Sequence, residues 1–344
     1  MTRVSCGTAI LGAGSAGLAA ALALSGRSRV RIIAPTVPAA TDAARVDMVP
    51  AAFLAFLLEL GVHPSQIGVR DLHDVRYIAW TRATPEPVHG AAMAHIQRPA
   101  LELALLAAVE RMSGIRILPG SPSYLTDPDE RLIDATGRRA FSTKQTVGLA
   151  NPWIAHVFSL RGVFEKTDQA FRMAALPAGY VYRLASSRLL SVGVVLSKAA
   201  GRLTPQDIER YIRSAGAGWV IEDLRPLDSI QTGRGGIASV QWSSGLSPML
   251  RVGDALLGRD SLSAQGLCSG LSDAAMLVRE TSRPDQWGNR QREQLTRHLR
   301  YLATAIDRSR FHAENAWSDY RQFLARIFAD KDNSPPRSGC ADFR

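Results

Sequence analysis

Thr8-Ala9-Ile10-Leu11 runs straight into Gly12-Ala13-Gly14-Ser15-Ala16-Gly17 and on into Leu18-Ala19-Ala20-Ala21-Leu22. Four residues of an apolar strand, a G-x-G-x-x-G turn and an alanine-rich helix are the context in which such glycines bind a dinucleotide. Gly12 permits the tight turn, Gly14 lets backbone amides approach a pyrophosphate, and Gly17 lets the helix pack close to the strand. Ser15 and Ala16 lie in the same turn, and the positive end of the helix faces the phosphate charge. Arg3 precedes this apolar stretch, as in an export signal. The spaced glycines, and an apolar run well short of the ~20 residues that span a bilayer, argue against export and anchoring.

A second glycine-bearing segment follows about 240 residues later: Arg251-Val252-Gly253-Asp254-Ala255, then Ser261-Leu262-Ser263-Ala264-Gln265-Gly266-Leu267. Together the two segments predict FAD, not NAD, held at both of its ends. One expected feature is missing. The second strand, Arg29-Val30-Arg31-Ile32-Ile33, leads to Ala34-Pro35 where an acidic residue ordinarily binds the ribose hydroxyls. Either Thr36 or Asp42 substitutes, or the ribose is held less tightly.

The chain of 344 residues is longer than one ordinary core and predicts two intimately joined domains. Cys6, Cys268 and Cys340 lie far apart without metal-ligand spacing, so a reducing, cytoplasmic setting is expected and no metal is. The net charge of +10 comes mainly from arginine, and no nucleic-acid-binding module accompanies it. It reads either as solvated surface or as a face that speeds encounter with an acidic partner.

Further elements are legible from periodicity. Pro50 to Leu60 predicts a helix, Val75 to Trp80 a strand, and Arg98-Pro99-Ala100 the opening of an apolar helix through Val109. Arg131 to Arg138 predicts a buried strand ending at a turn, and Val181 to Leu184 and Leu189 to Leu196 read as strands. From Gln291 to Ala329 the pattern is helical. Leu295, Leu299, Leu302 and Ile306 form one stripe, with Arg290, Arg297, Arg300 and Arg308 opposite. The tail from Lys331 has no apolar periodicity.

Taken in order, these segments resemble the flavoprotein monooxygenases with the p-hydroxybenzoate hydroxylase fold, over nearly all of residues 5 to 280. The likeness is greater to the branch that holds the flavin-dependent halogenases and geranylgeranyl reductases. Asp134-Ala135-Thr136-Gly137-Arg138 resembles the family's D-A-T-G strand end, and Gly253-Asp254 with Leu262-Ser263-Ala264-Gln265-Gly266 its second flavin signature. Arg98 stands where the family has a cofactor-contacting arginine. Arg45-Val46-Asp47-Met48-Val49-Pro50 is similar to its G-E-S-L-P-P segment, with aspartate for glutamate. The resemblance implies an α/β fold: a Rossmann-like FAD-binding domain, a β-sheet substrate domain and C-terminal helices. The expected boundaries are 1–70, 96–145 and 246–280 for the FAD-binding domain, 71–95 and 146–245 for the substrate domain, 281–330 for the helices and 331–344 for the tail. It also implies FAD contacts at Gly12, Gly14, Ser15, Ala16, Gly17, Arg45, Arg98, Asp254, Ser263, Gln265, Gly266 and Leu267. Asp47 is the candidate base, although an N-terminal charge ahead of the Pro50 helix would read the same.

On the substrate side, Tyr180-Val181-Tyr182-Arg183-Leu184-Ala185 aligns with the reductases' Y-x-W-x-F-P, with tyrosine for tryptophan and Leu-Ala for Phe-Pro. The halogenases' W-x-W-x-I-P has no counterpart. Tyr180 and Tyr182 are either pocket residues, with Tyr182 then a catalytic candidate beside Asp47, or one aromatic face of a sheet. The expected activity is hydroxylation of an aromatic ring by molecular oxygen, with electrons from NAD(P)H or a reduced flavin. Length and the degenerate aromatic motif are similar to those of flavin monooxygenases that hydroxylate a peptidyl tryptophan during tryptophylquinone biogenesis. That likeness implies a protein substrate, while the absence of a nucleic-acid module and of a long apolar run leaves neither nucleic acid nor membrane expected as a partner. Reduction of an isoprenoid lipid and hydroxylation of a small free aromatic are the alternatives.

Overall fold

The computed structural model describes residues 7–39, 45–120, 130–137, 141, 146–147, 153–165, 169–200, 203–227, 231–235, 241–243, 249–259, 262, 265–280 and 284–332. The chain begins with β1 (Thr8–Leu11), α1 (Ser15–Leu24) and β2 (Val30–Ala34). Next come β3 (Val46–Pro50), α2 (Ala52–Glu59), β4 (Leu72–Ala79), β5 (Glu86–Gln97), α3 (Arg98–Glu110), β6 (Ile115–Pro119), β7 (Arg131–Asp134) and β8 (Thr146–Val147). The middle of the chain holds β9 (Trp153–Arg161), β10 (Phe171–Leu176), β11 (Gly179–Ala185), β12 (Leu189–Ser197) and α4 (Pro205–Ser214). Then follow β13 (Gln231–Gly235), β14 (Gln241–Ser243), β15 (Leu250–Arg251), β16 (Leu257–Gly258), α5 (Gly266–Glu280), α6 (Pro284–Arg308) and α7 (Asn315–Asp332).

Among the described residues these strands make three sheets. A parallel sheet runs β15-β7-β1-β2-β6, a mixed sheet β13-β9-β12-β11-β10-β4-β5-β3, and a small antiparallel one β16-β14-β8. The α/β architecture with C-terminal helices is therefore as expected from the sequence. β3 pairs antiparallel with β5, which ties Val46–Pro50 to the mixed sheet. Pro50 ends that strand, so the helix expected from Pro50 begins at Ala52.

Alanine makes α1 work. Leu18, Ala19, Ala20, Ala21 and Leu24 are all buried, because the helix packs between β1, α3 and α5. Small side chains let three neighbours approach it closely, and alanine has the highest helix propensity. β12 is buried along its whole length. Val192, Val194 and Leu196 face α4, while Val195 faces the layer formed by α6 and α7. A strand covered on both faces reads as a continuous apolar run, as Leu189 to Leu196 does.

The stripe Leu295, Leu299, Leu302 and Ile306 is buried against the mixed sheet, as its spacing predicts. Arg297, Arg300 and Arg308 are exposed. Arg290 departs from that pattern: it is half-buried, with its guanidinium over the Trp287 ring and against Met276 and Ser272. The helical stretch from Gln291 to Ala329 is also two helices, broken between Arg308 and Asn315. Long-range bonds hold the break. The Arg310 amide donates to the Trp80 carbonyl at 2.8 Å, and its guanidinium donates to the Ala215 carbonyl at 2.8 Å. No helix among the described residues is long and apolar enough to cross a membrane.

Candidate functional site

The turn between β1 and α1 is fixed by contacts that leave no room for side chains. Gly12 has φ +102°, and a Cβ there would meet the Ala135 carbonyl oxygen at 2.6 Å. At Gly17 a Cβ would collide with the Gly12 carbonyl. Gly14 is different. Its φ of −78° suits any residue, and a Cβ would meet nothing within 4 Å. α1 has no side-chain cap and no acidic residue in its first turn, and Gly14, Ser15 and Ala16 at its head line a cavity.

β7 brings the Asp134-Ala135-Thr136 segment in behind this turn. Asp134 Oδ1 accepts from the Thr136 amide at 2.9 Å and from its hydroxyl at 2.6 Å, closing the strand in a side-chain turn. The second glycine segment then packs on the first. Gly253, at φ +61°, would place a Cβ 3.0 Å from Ala16 Cβ, and a Cβ at Gly270 would lie 3.1 Å from the same atom. Asp273 in α5 braces this contact. Its Oδ2 accepts from the Gly253 amide at 3.0 Å, and its Oδ1 from Gln294 Nε2 at 3.4 Å. Burial pushes the Asp273 carboxyl up to about 6, against the Gly253 amide and the charges of Arg290 and Arg259.

A chain of charges runs along the cavity. Asp47 pairs with Arg45 at 3.1 Å and with Arg98 at 3.3 Å, and Arg98 Nε donates to Glu102 Oε1 at 3.0 Å. The Ser15 hydroxyl donates to the same Glu102 oxygen at 2.8 Å. A carboxylate thus stands at the head of α1, where the helix favours an anion. Burial works against ionisation of Asp47, but Arg45 and Arg98 outweigh it and hold its carboxyl below the usual range. A carboxylate so held is a weak proton acceptor. Its place between two guanidiniums suits it to positioning them.

The opposite wall is apolar. On β11, Tyr180, Tyr182 and Leu184 share one face, while Val181 and Ala185 turn to the core beneath α4. Tyr180 and Tyr182 stack with centroids 6.4 Å apart. Gly193 lies opposite Tyr182 on β12, and a Cβ there would collide with the tyrosine ring and its hydroxyl. Phe171 and Met173 from β10 complete this wall.

One cavity collects most of the residues that the sequence singles out. Gly14, Ser15, Ala16, Arg45, Asp47, Arg98, Tyr182, Asp254, Gln265, Gly266 and Leu267 all line it. Gly12 and Gly17 act behind its wall. Ser263 and Asp42 lie outside the described residues, and Thr36 is exposed past the end of β2. Glu102, Arg259, Phe171 and Met173 line the cavity as well, although nothing local in the sequence marks them.

No family model matches this chain, and no curated protein matches it by sequence. Solved structures do resemble it. A peptidyl tryptophan dihydroxylase essential for tryptophylquinone cofactor biogenesis, QhpG, matches with a TM-score of 0.65 at 20% identity over 94% of this chain and 78% of its own. The flavin-dependent halogenase CmlS matches with a TM-score of 0.70 at 16% identity, over 96% of this chain and 72% of its own. PqsL, a probable FAD-dependent monooxygenase from Pseudomonas aeruginosa, matches with a TM-score of 0.62 at 14% identity, over 94% of this chain and 99% of its own. The chain has the fold of the flavin-dependent monooxygenases and halogenases.

Proposed function

We propose that this protein is an FAD-dependent monooxygenase that hydroxylates an aromatic ring. The observation that carries the reading is the single cavity into which the two glycine segments and the aromatic wall converge. The residues present fit the cofactor. Gly14 leaves the backbone open where a pyrophosphate would meet the start of α1, and Ser15 and Arg98, both bonded to Glu102, line the cavity there. Arg45 and Asp254 line the cavity beyond them, and Asp254 stands beside the start of α5, 3.9 Å from where a Gly266 Cβ would be. Ala34 at the end of β2 offers the ribose no carboxylate, so the cofactor is held less firmly at its adenosine end.

FAD, once reduced by an external donor such as NAD(P)H or a reduced flavin, supplies the activation of molecular oxygen. The protein's own share is to hold, orient and keep dry. Tyr182, Tyr180, Phe171, Met173 and Leu184 form an apolar wall that accepts a planar ring and excludes water. Asp47 aligns Arg45 and Arg98.

The substrate we favour is a tryptophan carried by a partner protein, hydroxylated on the way to a quinone cofactor. Its support is the likeness to the peptidyl tryptophan dihydroxylase, together with a net charge of +10 that would steer an acidic partner. Purified protein should carry flavin absorbance, complete or partial. Reduced protein with oxygen and the partner should add one or two oxygen atoms to a tryptophan-containing peptide by mass. Efficient hydroxylation of a free phenol or indole, with only hydrogen peroxide formed beside every protein partner, would replace the protein substrate by a small aromatic. Turnover without oxygen consumption would replace the monooxygenase by a reductase.

A further inference from the structure

The cavity's aromatic wall continues into the molecule. Tyr182 stacks on Tyr180 at 6.4 Å between centroids, and Tyr180 lies 6.2 Å from Trp80, which is partly exposed. A branch leaves Tyr180 for Trp153 at 5.9 Å, then Trp317 at 4.9 Å and Tyr320 at 4.6 Å from Trp153. Trp80 and Trp317 close the ring of contacts edge to face at 5.4 Å. Packing of α6 and α7 on the sheet needs bulk here, and phenylalanine would supply it. Phenylalanine is the commonest aromatic of the chain, at 10 residues. Yet the six rings of this path are three of its six tryptophans and three of its seven tyrosines, all oxidisable, and Phe323 appears only beyond Tyr320.

We propose that Tyr182, Tyr180 and Trp80 form a two-step electron-transfer route between the cavity and the surface, with Trp153, Trp317 and Tyr320 as a buried side branch. The route supplies an electron to a one-electron oxidant in the cavity and draws its replacement from outside. It rests on the FAD reading, and the oxidant by which it is tested is the oxidised flavin excited by blue light. The excited flavin would take one electron from Tyr182, and each cavity-lining phenol gives up its proton to the cavity as it is oxidised and regains it as the next ring refills it. Tyr180 and then Trp80 refill the vacancy in turn. The Trp80 indole is left one electron short until a small reductant in solution, such as ascorbate, returns it. The indole N–H groups of Trp80 and Trp317 donate to the carbonyls of Ala305 at 2.6 Å and Leu176 at 2.9 Å. A carbonyl does not take up the indole proton, so the charge stays mobile on the rings.

The test uses the full-length, FAD-loaded protein and conservative variants: Tyr182→Phe, Tyr180→Phe and Trp80→Phe. Flavin absorbance before illumination confirms loading and folding of each. In the unmodified protein, flavin fluorescence should be quenched and an indole-radical absorption should follow the flash. Under steady light with ascorbate, reduced flavin should accumulate. Tyr182→Phe should lose the quenching. Tyr180→Phe should keep the quenching and lose the indole radical. Trp80→Phe should keep both but lose the ascorbate-driven accumulation, because the other two indoles of the route, Trp153 and Trp317, are buried. Photoreduction at the unmodified rate in both Tyr180→Phe and Trp80→Phe would overturn the route while leaving the FAD site intact. Protein that takes up no flavin at all would overturn the cofactor reading first, and the route with it.

Discussion

The two walls of the cavity are built by different means. On the side of α1 and α5 the geometry belongs to the backbone: Gly12, Gly17 and Gly253 sit where a Cβ meets main chain or a packed helix. On the side of β10 and β11 it belongs to side chains, set by strand register and by what lies opposite. Tyr182 has its position because β12 offers Gly193 there. A backbone-built wall tolerates almost no substitution and serves a ligand part common to many proteins. A side-chain-built wall can be altered ring by ring, and specificity resides there.

The sharpest way to break this contrast is within the first turn. Gly17→Val should prevent α1 from packing on β1 and give little soluble folded protein, read from expression and circular dichroism, because a Cβ at Gly17 collides with the Gly12 carbonyl. Gly14→Ala should leave the melting temperature unchanged yet lower flavin content, since only a ligand would meet the new methyl. Equal losses of fold in both variants would remove the case for a phosphate at Gly14.

Acid should act through the buried imidazoles. Burial pushes His95 down to about 4, helped by the stacked His73 and opposed by its bond to the Ala185 carbonyl. Burial and Arg259 push His298 down to about 3. Both are neutral when folded and take up protons near 6.5 when unfolded, so stability is lost as pH falls from 6.5 toward 4. Asp273, raised to about 6, runs the other way: its contribution is present below 3.8 and lost as pH rises through 6. Two imidazoles against one carboxyl leave a net loss on acidification, of about 3 kcal/mol for His95 alone by pH 4. Urea midpoints at pH 7 and pH 5 check this, and His95→Gln should flatten the profile.

Arg98→Ala should weaken flavin binding by about 1.5–3 kcal/mol, roughly 10- to 150-fold in Kd, through loss of charge-assisted bonds at the head of α1. Titration of apoprotein with FAD measures it, and an unchanged Kd would place the phosphates elsewhere. The smallest effect belongs to the aromatic wall. Gly193→Ala forces the Tyr182 ring to move, at about 1–2 kcal/mol, and the cost should largely vanish in the double variant with Tyr182→Ala. A cost that persisted there would mean that Gly193 is required for the strand and not for the ring.

What was legible in the sequence follows the same divide. The glycine turns could be read because their requirement is local: strand, turn and helix announce themselves within 15 residues. Tyr180 and Tyr182 could be named as candidates, but not their facing, which depends on a register that only β10 and β12 fix. The break between α6 and α7 was not legible. No glycine or proline lies between Ser309 and Glu314, and the turn is held by Trp80, some 230 residues earlier. Glu102 and Asp273 were missed for a similar reason. Each is one acidic residue within a helical pattern, and only the tertiary contacts with Ser15 and Gly253 give it a task.

The contact of Gly253 and Gly270 with Ala16 also bears on synthesis. β1 can pair with β2 soon after translation begins, but β15 enters the parallel sheet at residue 250 and α5 reaches α1 only after residue 266. The glycine wall of the cavity is therefore finished late on the ribosome. An emerging amino-terminal half has the glycine turn but not its lid, and its apolar α1 waits uncovered for a partner some 240 residues downstream. Long-range closure of this kind is slow and exposes sticky surface meanwhile. Truncated chains ending before α5 should accumulate as aggregates, and free flavin added during refolding should help only once that helix is present.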